Sequence, residues 1–311
     1  MTSPGPAGSP ATEAAIALAA AGAVHPGLRV VATRRAGAFL EPFRARFPDR
    51  AEIVDGAEEA MDGAARTASL GSPRVVAATV DEFAGRGLGA FRDAAGRPDR
   101  APLLVVALEG DPVADAPLLD DVALLRGLPR VAVVVPADAP TAVEALRELV
   151  AGDGPAYLRL GPGADPVPVG EPFQLGRARE LRAGDDLTIA ALGAGVGIAL
   201  AAAQELARVG VGVRVLDLAS VKPVDAKALR RAARETGAIL TIETQQTTTG
   251  VGTLVAALVA EHGPVPVRRL GAPDLPATPP PAARGDDAHG VTVERALEEA
   301  WELLRAKGKV H

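Results

Sequence analysis

Two adjacent acids, Glu58 and Glu59, stand in the segment DGAEEAM (55–61) of a 311-residue chain that is otherwise poor in reactive side chains. An acid pair just ahead of a helical stretch can move protons, or it can simply sit solvated where the helix dipole favours negative charge. The residues alone leave both readings open. The chain has 0 cysteines and no asparagine, which removes thiolate chemistry, disulfides, zinc ribbons and iron–sulfur clusters. Its 4 histidines are His25, before a proline; His262, ending a helical run; His289, before a helix start; and His311, the last residue. So few histidines leave a Ser-His-Asp site or a His-rich metal site few places, and no metal-ligand set is assigned.

Two glycine motifs invite a phosphate. GAGVGIA (193–199) follows an apolar run and opens a helical one, and Asp217 ends the next apolar run. That order suits dinucleotide binding, with the pyrophosphate on the helix N-terminus and the acid on a ribose hydroxyl. The match is imperfect, because Ile198 stands where the third glycine belongs, and a close-packing turn explains the same residues. The second motif, GDG (152–154), lies before a strand-like run.

The elements that must position these residues alternate. Apolar, Val/Leu-rich runs at 28–32, 74–79, 103–108, 131–135 and 156–160 predict strands buried on both faces. Helical stretches at 12–22, 36–47, 57–69, 81–94, 118–127 and 139–150 separate them. A second series has strands at 187–192, 213–218, 238–242 and 265–270, with helices at 196–209, 225–235, 250–261 and 292–306. The expected fold class is α/β, two domains, each a mostly parallel sheet covered by helices. The expected boundaries are a disordered tail at 1–12, a first domain at 13–160, a Pro/Gly-rich linker at 161–176 and a second domain at 177–311.

Composition excludes several classes. Hydrophobic residues at 48% are enough to fill two cores, so the chain is not disordered as a whole. A net charge of −6, with arginines scattered among acids, argues against nucleic-acid binding. No apolar run is long enough to span a bilayer, and MTSPGPAGSP lacks the basic and apolar regions of a secretory signal, so a cytoplasmic location is expected. The Ala/Arg/Gly/Pro bias suggests a GC-rich bacterial genome.

Five segments carry a family likeness: RFPDR (46–50), DDVALLRGLPRVAVVVPAD (120–138), GPAYLRLG (154–161), VGVRVLDLASVKPVD (211–225) and ETGAIL (235–240). In this order they resemble the C-terminal half of transketolase, as found in the separate second subunit of split bacterial transketolases. The chain is also similar, more distantly, to the β subunit of 2-oxo-acid dehydrogenase E1 components. The resemblance spans about residues 13–306. It implies a pyrimidine-binding domain followed by a transketolase C-terminal domain, and it makes the glycine turn at 193–199 structural.

The resemblance also implies a cofactor, thiamine diphosphate, shared between two chains. The family's GIAEQ motif falls on DGAEEAM and puts Glu58 where a catalytic acid protonates N1′ of the aminopyrimidine; apolar surroundings favour such a shared proton. Phe83 falls where the family stacks an aromatic ring on the pyrimidine, although core packing is the ordinary role of a lone Phe. The family's diphosphate and Mg²⁺ are held through GDG and a downstream Asn. Here no Asn exists, so the resemblance implies an N-terminal diphosphate-binding subunit that holds them, in a heterodimer or an α2β2 assembly.

Other positions depart from the family. Its two-histidine segment corresponds to ALEGDPVADAP (107–117), with Ala116 in place of the second His; its phosphate-binding Arg is Pro162; its EEH is Glu243, Thr244, Gln245; and ATRRAG (32–37) replaces an acidic loop. These losses remove imidazoles that bind substrate hydroxyls and a guanidinium that clamps a phosphate. Arg34 and Arg35 offer a replacement charge or are simply solvated. The implied function is the pyrimidine-domain subunit of a split transferase moving a two-carbon ketol or acyl unit from a non-standard donor in a specialised biosynthetic pathway. The competing reading is a non-catalytic structural partner in such a complex.

Overall fold

A computed structural model describes residues 8–72, 74–80, 83, 87–96, 102–109, 119–161, 163, 167–168, 171–274 and 290–308. The chain divides into two compact units, Met1–Gly163 and Ala164–His311.

The first unit opens with α1 (Pro10–Val24). Ser9 caps it, its hydroxyl accepting from the Thr12 N–H at 3.2 Å, and Pro10 occupies the first helical position. The helix thus begins inside the stretch expected as a tail at 1–12, because Ser-Pro followed by an Ala-rich run is itself a helix start. Then come β1 (Leu28–Thr33), α2 (Gly37–Arg46), β2 (Ala51–Val54), α3 (Ala57–Ser69), β3 (Arg74–Val80), α4 (Leu88–Ala95), β4 (Leu103–Leu108), α5 (Asp121–Arg126), β5 (Ala132–Val134), α6 (Ala139–Ala151) and β6 (Ala156–Leu160). These strands pair in parallel in the order β2-β1-β3-β4-β6-β5. Sequential strands lie on opposite sides of β1, so the connections diverge above the C-terminal ends of β1 and β3. That edge is where open α/β sheets receive ligands.

With aromatic residues at 3% of the chain, alanines fill much of the core and let helices approach closely. Gly22 of α1 shows how closely: a Cβ there would lie 2.6 Å from the rings of both Phe43 and Phe47. Arg50 covers the Phe47 ring at 3.7 Å and donates to Gly22 O at 2.9 Å and Pro26 O at 2.8 Å, closing the end of α1. The RFPDR segment is therefore a packing device.

The second unit contains β7 (Arg179–Arg182), β8 (Leu187–Ala191), α7 (Gly195–Arg208), β9 (Val213–Asp217), β10 (Ser220–Lys222), α8 (Ala226–Thr236), β11 (Ile239–Gln246), α9 (Val251–His262), β12 (Val267–Ala272) and α10 (Val293–Ala306). Its five-stranded sheet runs β12-β11-β8-β9-β7, with β7 antiparallel. Strands β2, β7 and β10 were absent from the sequence expectation. β2 and β7 are short edges with exposed or charged residues, so neither shows the apolar run that marks a central strand, and β10 has only 3 residues.

The glycine turn of the second unit packs helix on strand. A Cβ on Gly195 would lie 2.8 Å from Ile242 O, so α7 can approach β11 only with glycine there. Asp217, the would-be ribose ligand, is fully buried and pairs with Arg179 at 2.6 Å. Among the described residues no helix is long and apolar enough to cross a membrane.

Candidate active site

Glu58 lies at the C-terminal edge of the first sheet, one residue into α3, which begins just after β2. Gly56 is the N-cap, and Glu59, in the third helical position, reaches back so that its Oε2 accepts from the Asp55 N–H at 3.1 Å. The bond is like the returning arm of a capping box but reaches the residue before the N-cap, and it commits Glu59 to the helix end. Glu58 is exposed and takes no hydrogen bond or ion pair among the described residues. The two acids, indistinguishable in sequence, have different employment.

Nearby charge is already partnered. Arg34 donates through Nε to Asp55 Oδ1 at 2.9 Å in a pair that is about 70% exposed on both sides, so it adds little stability. One turn along α3, Met61 is fully buried and borders Gly87 together with Phe83. Phe83 itself has no exposed surface. Its ring meets Phe91 edge-on at 5.7 Å and Tyr157 at 5.3 Å. Among the described residues Phe83 is thus packed in the core.

Behind Phe83 lies a polar cluster that the sequence reading did not single out. Tyr157 donates its hydroxyl to Asp121 Oδ2, and Arg159 donates to Asp121 Oδ1 at 2.7 Å and to Glu109 Oε1 at 3.2 Å. Burial, and then the Asp121 carboxylate beside it, push the Tyr157 phenol well above the ordinary tyrosine range. Burial works against the charge of Arg159, but Asp121 and Glu109 outweigh it and hold the guanidinium protonated. The available signal was one arginine inside the buried strand run AYLRL, which can be buried only with acids beside it.

The GDG at 152–154 follows α6 and precedes β6, at the N-terminal edge of the sheet. Glu58 lies at the opposite edge, so the two do not form one site. In the second unit, Glu243 is fully buried and its carboxylate accepts from Val251 N–H at 2.6 Å and Gly252 N–H at 2.8 Å. It caps α9 and is occupied there. His25 is the C-cap of α1, before β1, and His262 ends α9 in the second unit, while Ala116, Pro162, His289 and His311 lie outside the described residues. Among the described residues no three His, Asp or Glu side chains are grouped to hold a metal.

Residues 176–306 match the transketolase C-terminal domain family. A transketolase family protein of Sinorhizobium fredii, described as putative and uncharacterized, is 30% identical over 277 residues, 85% of this chain and 80% of that one. A solved split-gene transketolase, described as an inactive β4 tetramer, superposes with a TM-score of 0.86 at 31% identity, covering 96% of this chain and 99% of that one. The chain belongs to the transketolase family. Among other transketolases, the 6-deoxy-6-sulfo-D-fructose transketolase subunit SqwH of Clostridium sp. (strain MSTE9) is 40% identical over 158 residues, 50% of this chain and 49% of that one. The chain spans about half the length of the first curated relatives it matches.

The transketolase family depends on thiamine diphosphate, and the donor set here fits one end of that cofactor. An unpartnered carboxylate at the ligand-receiving edge suits the aminopyrimidine. Among the described residues no group suits the diphosphate and its metal: GDG is at the opposite edge, and the chain has no Asn.

Proposed function

We propose that this chain is the pyrimidine-binding subunit of a two-chain, thiamine-diphosphate-dependent transferase of ketol or acyl units. The observation that carries this reading is Glu58, an acid left without a partner at the start of α3 while Glu59 beside it caps the helix. When bound, thiamine diphosphate supplies the carbanion stabilisation that two-carbon transfer requires. Glu58 holds a proton at N1′ of the pyrimidine, and α3 fixes its position through Glu59. Met61, on the buried face of α3, anchors that helix in the core, where Phe83 is also fully buried. A partner subunit holds the diphosphate and Mg²⁺.

The split relatives support the partner and a donor outside the usual pentose phosphates. One is named for a sulfo-ketose, and a solved β4 assembly is described as inactive. By that analogy the chain alone self-associates without activity and forms α2β2 with its partner. The experiment is calorimetric titration of thiamine diphosphate with Mg²⁺ into the chain alone and into its mixture with the diphosphate-domain chain encoded in the same genome. Binding only in the mixture, weakened by Glu58→Ala, is the expected result. Full activity of a Glu58→Ala complex would leave the chain a non-catalytic partner, and tight binding to the chain alone would overturn the division of the cofactor.

A further inference from the structure

The chain's single tryptophan, Trp301, stands half-buried on α10. It lines a cavity of about 420 Å³ together with charged residues of that helix and Arg268 of β12, the outer strand of the second sheet. Arg268 donates to Glu299 and ties the helix to the strand. Further out, Arg295 donates to Glu298 at 2.6 Å, and Arg305 donates to Glu302 at 2.8 Å. All four of these side chains are more than half exposed, so the pairs add little to the stability of a lone chain. The hold of α10 on its own core comes from the opposite face, through Ala296, Ala300, Leu303 and Leu304. Tryptophan and arginine together are what protein interfaces concentrate.

The order of the charges selects the occupant. Along the outward stripe it runs Arg295, Glu298, Trp301 with Glu302, then Arg305, at helical spacing. Two copies of α10 laid side by side in one direction set every charge against its own kind. Antiparallel copies related by a two-fold axis at residue 300 set Arg295 against Arg305 and Glu298 against Glu302. With the axis between Trp301 and Glu302, Glu298 of each copy meets Arg305 of the other. The two ion pairs then flank the two tryptophans, seven residues or about 10 Å apart along the helix. Only this last register joins opposite charges at both ends, and a two-fold contact must be self-complementary in this way.

We propose that this face of α10 is a contact between two copies of the chain, antiparallel about an axis between Trp301 and Glu302, with Glu298 paired to Arg305 of the second copy. The inference rests on the self-association put forward in the proposed function and names the face that carries it. One helix face is smaller than a standard interface, so the contact is expected to be weak, with a dissociation constant on the order of micromolar.

Sedimentation velocity of the full chain over a concentration series measures the association, and the emission of Trp301 reports its burial. The wild type should associate, with emission moving to the blue as concentration rises. Glu298→Arg and Arg305→Glu each set like charges face to face, and each should weaken association about tenfold. Mixed in equal amounts, the two variants bring opposite charges together again, and the mixture should associate nearly as the wild type does, with both proteins in one complex. Side chains that matter only within their own chain do not produce that rescue. Variants that associate as the wild type does, or a mixture as weak as its components, would overturn the face and leave self-association standing. A wild-type chain that stays monomeric throughout would overturn both, while the division of the cofactor between two chains would stand.

Discussion

Arg159 donates Nη1–H to Asp121 at 2.7 Å with both side chains buried, and the pair joins β6 to the first turn of α5. Breaking a buried pair from one side leaves an uncompensated charge, which is costlier than the pair's net contribution. Asp121→Ala should lower stability by about 3–5 kcal/mol, read as a fall in the urea midpoint. Asp121→Leu combined with Arg159→Met should recover much of that loss. A double variant no more stable than Asp121→Ala would show that the pair itself, and not the stranded charge, is what matters.

Tyr157 ties the fold to pH. Its native phenol titrates well above the unfolded value of about 10, owing first to burial and then to Asp121. A group whose proton is held more tightly in the native state gives its full contribution below the unfolded pKa and loses it as pH rises beyond. Stability should therefore fall above about pH 10. Tyr157 is the 1 tyrosine in the chain, so tyrosinate absorbance reports it alone. The signal should appear together with unfolding and not before it. Tyr157→Phe should cost about 2 kcal/mol at neutral pH and flatten the alkaline decline.

Much of this architecture was legible because central parallel strands are apolar runs and helix ends carry caps. Asp138 of VVVPAD accepts from the Thr141 N–H at 3.0 Å and starts α6, and Asp225 of SVKPVD accepts from the Ala228 N–H at 2.9 Å and starts α8. Such segments are recognisable because their residues are fixed by capping. The edge strands β2 and β7 were not legible, since an edge needs no apolar run. At the site, the family resemblance pointed to Glu58 while the residue types left it and Glu59 alike, and the bond from the Asp55 N–H to Glu59 is what separates their contacts. The Glu109–Arg159–Asp121–Tyr157 cluster draws on four separated positions, and pairing across that distance has no local pattern. For Phe83 the resemblance implied stacking on a pyrimidine, while its type implied core packing, and its neighbours Phe91 and Tyr157 bury it.

Glu243 should behave as a buried helix cap. Glu243→Ala strands the N–H groups of Val251 and Gly252 and should cost roughly 3 kcal/mol in chemical denaturation. Gly250 packs directly against the same carboxylate, so a Cβ at Gly250 collides with it. Gly250→Ala should therefore produce a comparable loss. Because both changes break one contact, the double variant should lose clearly less than the sum. Additive losses would mean that the glycine serves something other than this cap.

The neighbouring acids of α3 give the sharpest separation of roles. Glu59→Ala removes the bond to the Asp55 N–H and should cost about 1 kcal/mol of stability through a lost cap. Glu58→Ala touches an exposed, unpartnered side chain and should change stability by less than about 0.5 kcal/mol. Cofactor affinity in the assembled enzyme should show the reverse pattern, with a large loss for Glu58→Ala and a small one for Glu59→Ala. Thermal melting of the chain and calorimetric titration of the complex measure the two columns of that cross. If Glu59→Ala were the variant to lose cofactor with its stability intact, the acid would be one residue further along the helix. The capping bond seen here would then have to break when the cofactor binds.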